Sequence, residues 1–133
     1  GSTVRVDVLN IFGLKPEDIQ YINAHGTSTP KGDLTEIKCL RDVFGKRVQN
    51  IPVSSNKSQL GHTLGATAAI EAALTIEGMR KGVILPTINH LPDPELSDID
   101  VVPNAARWQK HEIALSNAFG FGGTNCCIVL RGV

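Results

Sequence analysis

The sequence predicts an α/β domain, a mixed β-sheet with covering helices, and three observations predict it. Short apolar runs of strand length alternate with longer segments of helical period. The order reads β-α-β-α followed by short strands, and a glycine-rich turn joins the last two.

Each element has a local reason. Residues 19–24 (IQYINA) form a strand-like run. Asp33 and Glu36 make a capping-box pattern, with Asp33 as N-cap, and Ile37, Leu40 and Phe44 follow at helical spacing. Gly45 is placed to close that helix. Residues 51–55 (IPVSS) read as a second strand. A helix rich in small residues is expected from Thr63, as cap, to Lys81. Arg80 and Lys81 in its last turn suit the helix dipole, and Gly82 suits the C-cap. Residues 83–87 read as extended and 88–99, with Pro92 and Pro94, as a surface connection. Strands are expected at 99–102, 113–117 and 126–131. Gly1-Ser2 reads as a tag remnant, which leaves residues 3–133 as a single domain.

Composition excludes several classes. Thirteen basic and thirteen acidic residues give zero net charge with no long single-sign patch, so neither nucleic acid nor a membrane surface is an expected partner. No apolar stretch is long enough to span a bilayer. Three cysteines, two of them adjacent (Cys126 and Cys127), make no disulfide framework and suit a reducing compartment, the cytoplasm or an organellar matrix.

Three loops carry the polar chemistry. The first, Asn23-Ala-His-Gly-Thr-Ser-Thr29, follows a strand, where open α/β sheets bind ligands. His25 on its own reads better as a loop or core residue satisfied by hydrogen bonds, and Thr27, Ser28 and Thr29 read equally as turn and capping residues. The second loop runs from Ser54 to Thr63 and holds Lys57 and His62. Lys57 alone reads as a solvated surface charge, and the whole loop as a polar connector. Glu71 lies among Ala68, Ala69, Ala72 and Leu74, so its carboxylate is either partly buried with a cationic partner or part of a solvent stripe. The third loop, Asn117 to Asn125, is a wide hairpin turn whose glycines let backbone approach a ligand. His25 and His62 have no third ligand at metal-site spacing, so no metal site is expected.

Taken together, N-A-H-G-T-S-T-P-x-G-D, K-S-x-x-G-H-x-x-G-A and S-N-x-F-G-F-G-G-T-N, in this order from about Ile19 to Leu130, resemble the β-ketoacyl-acyl-carrier-protein synthases. The details are similar to the elongating bacterial and organellar type and to polyketide ketosynthases. The resemblance implies the C-terminal, partial half of a thiolase-like fold. It also implies decarboxylative Claisen condensation of a malonyl carrier protein with an acyl-enzyme thioester, in fatty-acid or polyketide synthesis.

In that frame His25 and His62 match the two histidines that stabilise enolate charge, and Lys57 matches the family's active-site lysine. Glu71 matches a supporting glutamate. Thr27 and Thr29 match residues that hydrogen-bond the phosphopantetheine arm, and Phe121 matches the acyl-pocket gate. Acyl carrier protein, an N-terminal half absent from this sequence and a second copy in a homodimer are the implied partners. No cofactor is implied beyond the substrate's own phosphopantetheine.

Two departures qualify the match. Asn56 stands where the family has threonine. None of Cys39, Cys126 and Cys127 matches the family's nucleophile, so this chain is expected to be inactive alone. A non-catalytic domain binding a carrier protein or partner subunit is the other reading.

Overall fold

The computed structural model describes residues 13–132. Gly1 and Ser2, read above as a tag remnant, lie outside them. At the centre stands a three-residue strand, β1 (Tyr21–Asn23), with all three residues buried. It pairs in parallel with β2 (Val53–Ser54) on one side and with β5 (Ile113–Phe119) on the other. β5 then pairs antiparallel with β6 (Asn125–Arg131) from Ile113↔Arg131 to Phe119↔Asn125. The mixed sheet therefore runs β2-β1-β5-β6. A separate two-stranded ribbon joins β3 (Val83–Ile84) to β4 (Arg107–Trp108).

Alternation along β1 and β5 sends side chains to opposite faces. Ile22 and Leu115 join a core with Ile37, Leu40 and Phe44 of helix α1 (Pro30–Phe44) and with Ile19, Val48, Ile51 and Val53. Tyr21 and Ala114 point the other way, to Ile84, Val102 and Met79. Helices thus cover both faces, as the sequence predicts.

α1 departs from the expected start. Thr29, not Asp33, is the N-cap: its Oγ accepts from the N–H of Gly32 at 3.2 Å, and Pro30 takes the first helical position. The backbone after Pro30 is already helical, so Asp33 lies inside the first turn and Glu36 is released from the capping box. Gly45 closes the helix as expected, at φ 55°.

The small-residue helix, α3 (Thr67–Lys81), begins four residues later than the pattern implies. Leu64 adopts φ 51°, which a continuous α-helix does not admit, and it opens a short 3-10 turn that runs to Ala66 and leads in. Thr63 caps nothing. The C-terminal end matches expectation, with Gly82 left-handed and its N–H on the carbonyls of Gly78 and Met79.

Residues 99–102 do not form the expected strand. Asp100 gives one carbonyl to the N–H of Val53 at 2.8 Å, and Val102 then turns to φ 47°, which ends any extended run. Asp100 is instead held by an ion pair with Arg107. β4 escaped the sequence because no apolar alternation marks it, and Trp108 is 83% exposed. The connection over 88–99 lies on the surface apart from its anchors. Ile99 enters the core, and Arg41 holds the carbonyl of Glu95 and the carboxylate of Asp98.

α3 is amphipathic in the inverted sense. Thr67, Glu71 and Thr75, spaced four apart, face the interior, whereas Ile70 and Ile76 face outward, with Leu60 and Leu64 exposed in the preceding segment. An apolar face of this kind favours association. The 133-residue chain in isolation is therefore expected to bind hydrophobic dyes and to self-associate in sedimentation velocity. A dye-silent monomer with a cooperative melting transition would contradict this reading.

Candidate active site

The three polar loops follow β1, β2 and β5, which are adjacent and parallel, so their C-terminal ends open at one edge of the sheet. The last row of that sheet is Ser54–Asn23–Ser116 by register. The Asn23 amide donates to Ser116 Oγ at 3.1 Å, and Ser54 Oγ donates to the Leu85 carbonyl at 2.6 Å. Tyr21 supplies the hydroxyl beside Ser54 Oγ at 2.8 Å, and burial pushes that phenol up to about 12. Polar side chains thus floor the site.

Glu36 joins the first and third loops. Its Oε1 accepts from the N–H of His25 at 3.0 Å and from the Asn117 amide at 2.9 Å, and its Oε2 accepts from the N–H of Gly26 at 3.0 Å. The carboxylate is buried and well satisfied. The second loop closes against the first through Ser55, whose Oγ donates to the Gly26 carbonyl at 2.9 Å. Gly26 is needed here: its φ is 43°, and a Cβ on it would stand 2.7 Å from the Ser55 Cβ.

This framework brings His25 and His62 together, ring centroids 5.7 Å apart and edge to face. The backbone N–H of Phe119 donates to His25 Nδ1 at 3.3 Å. The backbone N–H of Leu64 donates to His62 Nδ1 at 3.2 Å. A ring nitrogen that accepts from a backbone N–H cannot carry a proton, so both neutral rings carry theirs on Nε2. Burial lowers the basicity of His25, the Lys57 ammonium and His62 lower it further, and the Glu36 carboxylate opposes them. His25 is a neutral imidazole near neutral pH.

Lys57 opens the one-turn helix α2 (Lys57–Leu60) and is buried, not solvated as its sequence context alone suggests. Its ammonium lies 2.7 Å from Glu71 Oε1, with the two side chains 5% and 2% exposed. Glu71 therefore has the cationic partner that burial of its carboxylate demands. Burial pushes the Glu71 carboxyl up from its ordinary range, against the pull of Lys57.

Thr27, Lys57 and His62 line an open cleft of about 630 Å³ with Ser28, Thr87 and His90. Thr29 caps α1 and is not among the residues that line the cleft. Phe121 is 99% exposed on a 3-10 turn between β5 and β6. That turn is closed by the Gly120 N–H on the Thr124 carbonyl at 2.8 Å. A Cβ on Gly120 would meet Thr124 Oγ at the same 2.8 Å. Cys39 is half-buried in α1, and Cys126 is exposed on β6.

Sequence reasoning missed Glu36, Asn117 and the backbone donors of Phe119 and Leu64. One signal was available. Glu36 precedes Leu40 by four residues, so it shares that inward-facing stripe, and the capping-box reading concealed it.

A family model described as beta-ketoacyl synthase, C-terminal domain, matches residues 2–90. The chain is 45% identical over 132 residues to 3-oxoacyl-[acyl-carrier-protein] synthase 2 of Staphylococcus aureus, covering 98% of this chain and 32% of that protein. The corresponding protein of Synechocystis sp. is 48% identical over 120 residues, 90% of this chain and 29% of its own length. This chain therefore spans about a third of the relatives it matches. A solved beta-ketoacyl synthase from Burkholderia phymatum superposes with a TM-score of 0.86 at 42% identity, over 94% of this chain and 30% of its own. A type II polyketide ketosynthase, solved with its acyl-carrier protein and bound to a hexaketide, gives 0.90 at 36% identity, over 96% and 32%.

The buried ion pair makes a direct prediction. Glu71→Gln leaves the Lys57 ammonium buried without its counter-charge, which typically costs about 3–5 kcal/mol. Urea unfolding of the full-length protein carrying this chain reads that loss, and an unchanged midpoint would contradict the pairing.

Proposed function

The chain belongs to the beta-ketoacyl synthase family, as its C-terminal domain, and from that premise we propose that His25 and His62 drive the decarboxylation half of a 3-oxoacyl-[acyl-carrier-protein] synthase reaction. The observation that carries the reading is the occupation of both Nδ1 atoms by backbone N–H groups. Each ring is left with one N–H, on Nε2, fixed by the fold.

In the proposed reaction a malonyl thioester, carried on the phosphopantetheine of an acyl carrier protein, enters the cleft. Its carboxylate leaves as carbon dioxide, and the electrons of the broken C–C bond move to the thioester oxygen as an enolate. Two Nε2–H donors stabilise charge that develops only as that bond breaks, which lowers the barrier more than it tightens ground-state binding. The carbon of the enolate then attacks an acyl thioester, and the cysteine thiolate leaves. We place that cysteine in the part of the protein beyond this chain, because Cys39, Cys126 and Cys127 lie on α1 and β6 rather than in the three site loops.

Neutral donors suit this chemistry. The Lys57 ammonium helps hold His25 unprotonated, and Glu71 keeps that ammonium in place. In this reading Thr27 and Thr29 meet the pantetheine arm, and Phe121 gates the acyl pocket. The protein needs no cofactor beyond the substrate's own arm, works as a homodimer and shares the cytoplasm or an organellar matrix with its carrier protein. The ketosynthase solved with an acyl-carrier protein supports that choice of partner.

Two measurements test this. In the full-length protein, His25→Ala or His62→Ala is expected to slow malonyl decarboxylation by roughly 10²–10³-fold, the usual cost of one such donor. Acylation of the cysteine should be largely spared, and equal loss of both half-reactions would overturn the enolate role. The second is the pH profile. The folded pKa of His25 lies below its ordinary 6.5, so the neutral donor persists as pH falls past 6.5 and is lost only below it. In that acid range the unfolded chain binds a proton the folded site resists, so stability falls as well. A decarboxylation rate already falling above 6.5, with that limb still present in His62→Ala, would contradict a neutral His25.

A further inference from the structure

His62 Nδ1 has a second neighbour that the reading above does not use. Thr67 Oγ lies 3.1 Å from it and 3.0 Å from Thr63 Oγ. Thr67 is the first residue of α3 and is only 4% exposed. We propose that Thr67 is a positioning residue for His62, its hydroxyl donating to Nδ1 and fixing the plane in which Nε2–H is presented; the assignment deepens the two-histidine reading and rests on it.

The donor order follows from a single proton count. The Leu64 N–H points at Nδ1, so Nδ1 holds no proton and can only accept. Thr67 then gives its one hydroxyl proton to Nδ1, and Thr63 gives its own to Thr67. The Thr67 hydroxyl and the Leu64 N–H share the single lone pair of Nδ1, and Thr67 Oγ accepts in turn from Thr63.

Two features show why a second anchor matters. The first anchor sits on Leu64, a non-glycine residue at φ 51° whose side chain is largely exposed. A ring held by one hydrogen bond from an exposed loop keeps freedom to swing about that bond. Thr67 by contrast is buried on a 15-residue helix and is β-branched, so its χ1 is stiff. It also stands one turn before Glu71 on the same face of α3. The helix thus grips the second loop at two points, Thr67 on His62 and Glu71 on Lys57.

The test uses the full-length protein with malonyl-carrier protein as substrate, comparing Thr67→Val, Thr67→Ser and His62→Ala. Thr67→Val keeps the shape and removes the hydroxyl. Decarboxylation kcat is expected to fall roughly tenfold, the order of one lost hydrogen bond, with KM within about twofold. Cysteine acylation, unchanged in Thr67→Val, shows that the variant is folded. Thr67→Ser, which keeps the hydroxyl and drops the methyl, is expected to recover most of the rate. Full decarboxylation by Thr67→Val, or equal loss in Thr67→Ser, would overturn the positioning role while the loss in His62→Ala leaves the two-histidine reading standing. Normal decarboxylation by His62→Ala would overturn both.

Discussion

The site depends on one buried carboxylate. Glu36 accepts hydrogen bonds from two successive backbone N–H groups, those of His25 and Gly26, and from the Asn117 side chain. A helix, the end of the central strand and the strand beside it meet at that group. Remove it and three donors lose their partner in an interior where an unmet polar group is costly. With it in place, the turn after β1 has one conformation. Gly26 then stands hard against Ser55, and the second loop can close only where the crowding and the Ser55–Gly26 hydrogen bond allow. The histidine pair is a consequence of that chain of contacts.

Charge is arranged around the pair so that neither ring need carry any. The buried cation and anion, Lys57 and Glu71, satisfy each other on the α3 side, and Glu36 is spent on backbone donors. Burial and a nearby ammonium both disfavour a protonated His25. A neutral N–H donor strengthens its hydrogen bond as negative charge appears on its partner, as the proposed enolate step requires. The polar stripe of α3, Thr67, Glu71 and Thr75, follows the same logic. Thr67 and Glu71 reach His62 and Lys57, while the Thr75 hydroxyl donates to the Glu71 carbonyl within the helix.

Much of this was legible in the sequence. The strands over 19–24, 113–117 and 126–131 and the ends of both long helices at Gly45 and Gly82 follow from local pattern, because apolar spacing and left-handed glycines act locally. The motifs singled out His25, His62 and Lys57, and the fold places the two rings edge to face with Lys57 buried nearby. What failed was anything decided at a distance. Asp33 and Glu36 satisfy the capping-box spacing, yet Glu36 is drawn inward by donors on residues 25, 26 and 117. Residues 99–102 have strand composition, but Arg107 and the left-handed Val102 bend them away from the sheet. Lys57 looks like a surface charge until Glu71, fourteen residues on, is placed beside it.

The fold aims a backbone N–H at Nδ1 of both His25 and His62, which leaves Nε2 as the proton-bearing atom of each ring. Nitrogen NMR of the full-length protein, with isotope-labelled histidine at neutral pH, reads that state directly. Variants lacking one histidine at a time assign the signals. For both His25 and His62 the account predicts an unprotonated, hydrogen-bonded Nδ1 and a protonated Nε2. A protonated Nδ1 on either ring, as the other tautomer or as imidazolium, would contradict it.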